Sequence, residues 1–237
     1  MTAGGVSPVD APFGARVALY YVPEADDPLA IAGARWLGRD AETGSAVSQP
    51  AIDGIAEVTA DPRVYGFHAT LKPPMRLADG ASWAELERAA DELAASVAPF
   101  DLPPLTVVDV HGFLALRETV PCPALQALAD LCVAGMDAFR APPGAEELAR
   151  RRCGGLSAAQ DGLLRRWGYP YVFGAWFFHL TLTRRLQVDE RARWREAAEA
   201  QFAPALGVPR RVSAICLSTQ IGPGYPFRLA TRLTLRG

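Results

Sequence analysis

The pattern Phe-His-x-Thr-Leu occurs twice in the chain, at residues 67–71 and 178–182. The two copies contain two of the three histidines among the 237 residues, and both lie in apolar segments typical of strands. Because side chains alternate along a strand, residues i and i+2 face the same side. Each copy therefore places an imidazole beside a hydroxyl. Two such pairs facing one cleft would supply a proton donor, a proton acceptor and two hydrogen-bond donors.

The segments that follow the two copies have the same predicted order: motif strand, helix, strand, strand. In the first half these elements are predicted at 65–72, 83–97, 105–110 and 113–116. In the second half they are predicted at 176–183, 189–202, 212–219 and 227–235. His179 follows His68 by 111 residues, close to half the chain. This spacing indicates an internal duplication of one structural unit rather than a short-period solenoid.

The rest of the chain divides around these two units. We interpret residues 1–14 as a disordered lead, and residues 15–237 as one domain with lobes at about 60–118 and 172–237. A strand at 16–22 and a helix at 26–38 precede a mostly loop segment at 40–61. Between the lobes, a helical insertion over about 121–171 contains two arginine clusters, at 150–152 and 165–166.

Composition excludes several classes of protein. The formal net charge of −2 argues against a broad, charge-driven nucleic-acid binder. The four cysteines are not spaced as metal ligands, and they are typical of reduced thiols in a cytoplasmic protein. No run approaches the roughly 18 apolar residues of a membrane span, and the first residues do not resemble a signal peptide. We therefore expect a cytoplasmic protein with no membrane partner.

The residue types of the repeat suit phosphoester chemistry. An imidazole has an unperturbed pKa of about 6.5, so at neutral pH one histidine can accept a proton while another donates one. Thr70 and Thr181 can donate hydrogen bonds to the non-bridging oxygens of a phosphoryl group. No carboxylate stands at ligand spacing around His68 or His179, so we expect neither a metal nor a cofactor. The sequence leaves open which histidine is the acid and which the base.

The paired motifs resemble those of the two-histidine (2H) phosphoesterase superfamily, and most closely a branch of bacterial proteins of phosphonate metabolism encoded near carbon–phosphorus lyase genes. The resemblance rests on residues 65–74, 167–171 and 178–183 and extends over most of the chain from Arg16 onward. It implies an α+β, bilobal, duplicated fold in which two antiparallel sheets surround a central cleft and helices lie outside. It also implies catalytic roles for His68, Thr70, His179 and Thr181.

Other residues are candidates for substrate binding. Lys72 follows the first motif and is either a phosphate ligand or a solvated strand end, whereas Arg184 follows the second motif. Four tyrosines are candidates for the cleft wall, although aromatic packing is the commoner role: Tyr20, Tyr21, Tyr169 and Tyr171. Because consecutive arginines on a helix cannot all face one cleft, the arginine clusters can form only part of a phosphate-binding lid. For the third histidine, His111, we expect a structural or solvent-facing role.

We therefore expect a metal-independent phosphoesterase that hydrolyses a cyclic or activated phosphodiester. The resemblance implies a small sugar phosphate of phosphonate breakdown as the substrate. Two alternatives stay open: a phosphodiesterase acting on RNA ends or nucleotide 2′,3′-cyclic phosphates, and a non-catalytic module that binds nucleotides or RNA. The sequence does not determine the oligomeric state.

Overall fold

The computed structural model describes residues 15–237, so the lead expected over 1–14 lies outside the described residues. The strands within this range are β1 Arg16–Tyr21, β2 Ala69–Met75, β3 Phe100–Leu102, β4 Leu105–Val110, β5 Phe113–Glu118, β6 Leu180–Thr181, β7 Arg210–Val212, β8 Ala214–Gln220 and β9 Arg228–Thr234. The helices are α1 Pro28–Leu37, α2 Ile55–Val58, α3 Ala60–Tyr65, α4 Trp83–Ala95, α5 Pro123–Gly135, α6 Ala145–Arg152, α7 Ala158–Trp167 and α8 Arg191–Leu206. Single 3-10 turns occupy Asp137–Phe139 and Phe173–Ala175. The predicted α+β class is confirmed.

The two halves of the chain share one sheet. Seven strands run antiparallel to their neighbours in the order β4-β5-β6-β2-β1-β8-β9, and β3 pairs with β7 in a second, two-stranded sheet. The two expected antiparallel sheets are present, one large and one small, and the motif strands β2 and β6 pair with each other within the large one. The β4–β5 hairpin of the first half lies beside β6, the motif strand of the second half. The β8–β9 hairpin of the second half lies beside β1, on the side of β2, the motif strand of the first half. The hairpins of the two duplicated units are thus exchanged, each lying on the side of the other unit's motif strand.

One face of the large sheet is covered by α1, α4, α5 and α8. Their apolar residues form a single buried cluster with strand residues such as Leu19, Leu116 and Leu217. The alternate strand residues point to the opposite face, where a smaller cluster includes Ala18, Tyr20 and Cys216. Because the helices occupy one face, the other remains available for a site.

The phenylalanine and leucine shared by the two motif copies follow from this division. Phe67 is buried and stacks on Phe202 of α8 with ring centroids 5.8 Å apart, and Leu71 is buried in the same cluster. Phe178 is buried beside Tyr21, with ring centroids 5.9 Å apart. The phenylalanine and leucine of each copy therefore hold the strand against the helices, and the histidine and threonine project to the open face.

Several predicted boundaries differ from the structure. The first motif strand was expected to end before Pro73-Pro74, but β2 continues to Met75. A shift in the pairing with β1 falls between the pairs Leu19–Lys72 and Val17–Met75, so the prolines lie in an irregular part of the ladder, where their missing N–H groups are tolerated. The segment 40–61 was expected to be mostly loop, but it contains α2 and the start of α3.

The second motif strand is much shorter than expected. Only Leu180 and Thr181 form β6, because the preceding residues leave the 3-10 turn at Phe173–Ala175 and approach the sheet only at the motif. Side-chain caps define the starts of two helices. Asp27 caps α1, and the Ser82–Glu85 capping box begins α4. No helix within residues 15–237 is long and apolar enough to span a membrane, and the four cysteines are free thiols.

Candidate active site

The register between the motif strands brings the two histidine–threonine pairs together. Ala69 of β2 lies opposite Leu180 of β6 in an antiparallel pair. Extending this register by one residue in each direction sets His68 opposite Thr181 and Thr70 opposite His179. Ala69 and Leu180 are fully buried toward the helices, whereas the four motif side chains are only partly buried. The imidazoles and hydroxyls therefore occupy one patch of the open face, related by an approximate two-fold axis.

The ring of His68 is oriented by two hydrogen-bonding groups of its own segment, one just before β2 and one within it. Its Nδ1 lies 2.9 Å from the carbonyl oxygen of Gly66, and its Nε2 lies 3.2 Å from Oγ1 of Thr70. A carbonyl oxygen can only accept, so Nδ1 carries the proton of the neutral ring. Nε2 is then the basic nitrogen, and it is held beside the Thr70 hydroxyl.

The second histidine has the same kind of support. Nδ1 of His179 donates to the carbonyl oxygen of Phe177 at 3.1 Å, which again leaves Nε2 as the basic nitrogen. The ring lies between Phe177 and Phe113, with centroids 4.8 Å and 6.0 Å away. Both histidines thus adopt the tautomer in which Nε2 can exchange protons.

Burial keeps both imidazoles neutral. The pKa of His68 is lowered to about 4, chiefly by desolvation and to a smaller extent by the nearby His179, against the hydrogen bond to Gly66, which raises it. The pKa of His179 is also lowered by desolvation, opposed by the bond to Phe177, with a smaller lowering from Arg117. In the unliganded site both rings are therefore proton acceptors at neutral pH, and an arriving anion would favour protonation of one of them.

Tyr20 supports His68 from the neighbouring strand. It lies opposite Thr70 in the β1–β2 pairing, and its ring centroid is 3.8 Å from that of His68. The ring is almost fully buried, and its hydroxyl makes no hydrogen bond within the described residues. Tyr20 was one of four tyrosines considered for the cleft wall, but its stacking on His68 was not predicted.

A cation lies beside His179. The β5–β6 register pairs Ala115 with Thr181 and Leu116 with Leu180. Extending it by one more residue sets Arg117 opposite His179. The Arg117 guanidinium lies 4.8 Å from the centroid of the Phe177 ring, which itself contacts His179. The sequence gives no signal for Arg117, since its proximity depends on the exchanged β4–β5 hairpin.

A cavity of 600 Å³ opens in front of Thr70 and His179. Its walls are rich in aromatic rings and contain no carboxylate; they include Phe113, Tyr169, Tyr171, Trp176 and Phe177. Tyr171 is thus in the cleft, as predicted. The Trp176 indole donates to the carbonyl oxygen of Thr70 at 2.9 Å, which ties this wall to the first motif. His111, at the tip of the β4–β5 hairpin with φ of 50°, lies at the rim with Arg185.

Lys72 does not reach the open face. Strict alternation would put it beside Thr70, but one step along β1, from Leu19 to Tyr20, corresponds to two steps along β2, from Lys72 to Thr70. This bulge turns Lys72 toward α5, where its ammonium donates to the Val133 carbonyl oxygen at 2.9 Å. The side chain is 2% exposed, and burial lowers its pKa to about 8.

Two other predicted substrate ligands also lie elsewhere. Tyr21 faces the helices and is buried in the main core, which raises the pKa of its hydroxyl. Arg184 forms ion pairs with Glu57 at 2.7 Å and Glu190 at 3.1 Å, and hydrogen bonds to these carboxylates raise its pKa. Neither residue lines the cleft. The alternation that directs Tyr20 to the open face directs Tyr21 to the core, and Arg184 lies beyond the end of β6, where the chain has left the sheet.

Within residues 15–237 there is no cluster of three or more His, Cys, Asp or Glu side chains that could hold a metal ion. The groups that the site offers are two imidazoles, two hydroxyls and a neighbouring guanidinium.

The profile of the family described as protein of unknown function (DUF1045) matches residues 70–228. This chain belongs to that family. A curated relative, ribose 1,5-bisphosphate phosphokinase PhnN of Janthinobacterium sp. (strain Marseille), is 40% identical over 231 residues, which cover 94% of this chain and 51% of the relative. The chain spans about half the length of the curated relatives it matches.

Similar solved structures include two with low sequence identity. One, described as a phosphoesterase, is 14% identical, with a TM-score of 0.45 over 94% of this chain and 99% of that one. Another, E. coli LigT complexed with NADP+, is 16% identical, with a TM-score of 0.40 over 94% and 99% of the two chains.

Proposed function

We propose that this protein is a phosphoesterase that hydrolyses a cyclic or activated phosphodiester by general acid–base catalysis. The observation that carries the proposal is the pairing of Ala69 with Leu180, which sets two histidine–threonine pairs in one open patch. An in-line displacement at phosphorus needs a base on one side and an acid on the other, and two imidazoles related by an approximate two-fold axis suit both positions.

The reaction can be written with the groups present. His68 Nε2 accepts a proton from water, the water oxygen bonds to phosphorus, and the bond from phosphorus to the ester oxygen breaks. His179, protonated at Nε2 once the anionic substrate is bound, gives its proton to the departing oxygen. His68 is taken as the base because desolvation and the neighbouring His179 both favour its neutral, proton-accepting form. Thr70 and Thr181 donate to the non-bridging oxygens. Each proton transfer contributes about 10² to 10⁴ in rate.

The substrate we favour is a small sugar phosphate, as in phosphonate breakdown. The name of the Janthinobacterium relative refers to a ribose bisphosphate, which fits this class of substrate. Its name also refers to a kinase, an activity that we do not extend to this chain. A phosphate-binding loop requires glycines followed by lysine, and the single lysine here, Lys72, is preceded by Thr70-Leu71 and buried.

One observation favours a second substrate class. Five aromatic side chains line the cleft, and stacking on such rings is worth about 1–3 kcal/mol for a nucleobase. A nucleotide or RNA end with a 2′,3′-cyclic phosphate would use these rings, whereas a sugar phosphate would not. A binding module without turnover is the non-enzymatic alternative, but it would need the hydroxyls and not two titrating imidazoles.

The proposal is tested by assaying the purified chain, after treatment with EDTA, against a cyclic ribose phosphate and a nucleoside 2′,3′-cyclic phosphate. We expect turnover of one of them without added metal, and loss of turnover in the His68→Ala/His179→Ala double variant. Tight binding without turnover in the wild-type chain would support the module instead. Activity abolished by EDTA and restored by a divalent ion would refute the metal-independent reaction.

A further inference from the structure

A second cavity lies on the open face of the large sheet, beyond the end of β2. It has a volume of about 480 Å³, and its charged lining consists of Arg16, Arg76, Arg140, Arg150 and Glu147. It adjoins the aromatic cleft, because neighbouring residues contribute to both: Pro74 and Gly168 line this cavity, and Pro73 and Tyr169 line the cleft. We call it the arginine pocket.

Two of its arginines are held by neutral groups. Gln220 Oε1 accepts from the Arg16 guanidinium at 2.8 Å and 2.7 Å, and the same guanidinium lies 5.5 Å from the centroid of the Phe227 ring. Arg76 donates to the carbonyl oxygen of Pro142 at 3.1 Å. Among residues 15–237, no carboxylate lies within 4.0 Å of either guanidinium. These two side chains are therefore positioned without being neutralised.

The other charged groups leave the positive excess in place. The carboxylate of Glu147 pairs with Arg151 at 2.9 Å, and Arg140 pairs with Asp137 at 2.8 Å. Arg150 is exposed and has no ion pair within the part of the chain that the structure describes. Arg16, Arg76 and Arg150 thus bring three uncompensated guanidinium groups to one cavity.

The arginine cluster at 150–152 is divided by its helix. Arg150 faces the arginine pocket, Arg151 pairs with Glu147 and lies over the Tyr169 ring, and Arg152 pairs with Asp161 at 2.7 Å. Most arginines of the chain are paired in this way, and the chain as a whole carries a net charge of −2. The local excess of positive charge is therefore a property of the pocket and not of the composition.

We infer that the arginine pocket is a second anion site, which binds the phosphate group of a small phosphorylated ligand. Three guanidinium groups from β1, from the end of β2 and from α6 converge on it, and planar guanidinium groups bind phosphate oxygens through paired hydrogen bonds. The volume exceeds that of a single phosphate and leaves space for the group that carries it. This inference does not depend on catalysis in the cleft.

The position of the pocket limits where the phosphate can come from. Arg16 and Tyr20 are four residues apart on β1 and face the same side, so they are separated by about 13 Å at 3.3 Å per residue. Tyr20 lies opposite Thr70. The phosphate is therefore either the distal group of a ligand that also occupies the cleft or part of a separate molecule.

The direct test is titration calorimetry with inorganic pyrophosphate as the probe, on the full chain with wild-type and variant residues. We expect saturable binding that Arg76→Gln/Arg150→Gln weakens about tenfold or more, since each guanidinium removed takes with it charge-assisted hydrogen bonds to phosphate oxygens. Both side chains are exposed, so the variant should fold, which circular dichroism checks. Arg35→Gln/Arg88→Gln is the matched control, because it removes two exposed arginines on α1 and α4 behind the sheet.

Equal affinities in the pocket and control variants would overturn the inference, as would the absence of saturable binding to the wild-type chain. If binding is lost in the pocket variant alone, kinetics identify the source of the phosphate. One ligand spanning both sites is indicated if the pocket variant has a higher KM than the wild type for a cyclic phosphodiester that carries a second phosphate, but not for one that lacks it. An unchanged KM for that compound would indicate a separate ligand. The titration remains decisive if the cleft has no turnover.

Discussion

Ala69 lies directly opposite Leu180 at the centre of the seven-stranded sheet, and this pair joins the two halves of the chain. Both side chains are fully buried beneath the sheet, so the residues that flank them face the opposite side. One backbone pairing therefore decides that His68, Thr70, His179 and Thr181 share a surface. The proposed chemistry depends on this register more than on any single side chain.

The first prediction concerns the four motif residues. His68→Ala and His179→Ala should each lower kcat by about 10² or more, because each removes one proton transfer. Thr70→Ala or Thr181→Ala should each cost about 1.5–3 kcal/mol of transition-state stabilisation, which is one hydrogen bond to a charged oxygen. Steady-state kinetics with the cyclic substrate measure these losses, and Thr234→Ala on the exposed end of β9 is the matched control.

The combination of the two histidine changes is more informative than either alone. Groups that act as a unit lose less together than the product of their separate losses. The wild-type pH–rate profile should be bell-shaped, and each single variant should lose one limb. Variants that keep normal turnover but bind the substrate less tightly would contradict a catalytic role for the pair.

The second prediction concerns stability at acidic pH. The folded-state pKa of His68 is about 4, below its unfolded value of about 6.5, so the unfolded chain binds more protons between these values. Stability should therefore be lost as the pH falls from 6.5 to 4, by up to about 1.4 kcal/mol per pH unit. Urea unfolding at several pH values should show a shallower decline in His68→Asn than in the wild type. Parallel curves would mean that His68 titrates normally in the folded chain.

The third prediction tests how the first motif is anchored. A Cβ added at Gly33 of α1 would overlap the ring of Phe67, so Gly33→Ala must displace the residue that precedes His68. We expect a loss of about 1–3 kcal/mol in the free energy of unfolding, together with reduced activity. Gly162→Ala in α7 is the control, since its Cβ would meet nothing within 4 Å and alanine favours a helix by about 0.5–1 kcal/mol. Unfolding curves that shift equally would contradict the packing argument.

The fourth prediction separates structure from binding at Lys72. Burial lowers its pKa to about 8, from an ordinary value near 10.5, so the unfolded chain binds the additional proton between these values. Wild-type stability should gain from this group as the pH rises from 8 to 10.5, and Lys72→Met should remove that gain. KM should not change, because the ammonium contacts Val133 and not the cleft. A large rise in KM in Lys72→Met would contradict this assignment and show that Lys72 binds the substrate.

Local sequence determined the parts of this protein that depend on neighbouring residues. The Ser82–Glu85 capping box, the Asp27 cap and the strand character of the repeat are visible in the sequence, because the groups involved lie within a few positions of one another. The duplication and the four motif residues were likewise recognisable, since a repeated i, i+2 spacing fixes which side chains share a face.

Only the tertiary structure decided which other residues join them. The bulge in β2 reversed the side on which Lys72 lies, and the exchanged hairpin brought Arg117 beside His179. Alternation along β1 directed Tyr20 to the site and Tyr21 to the core. The physical reason is that register is set by pairing between strands far apart in the chain, where a shift of one residue moves a side chain to the other face.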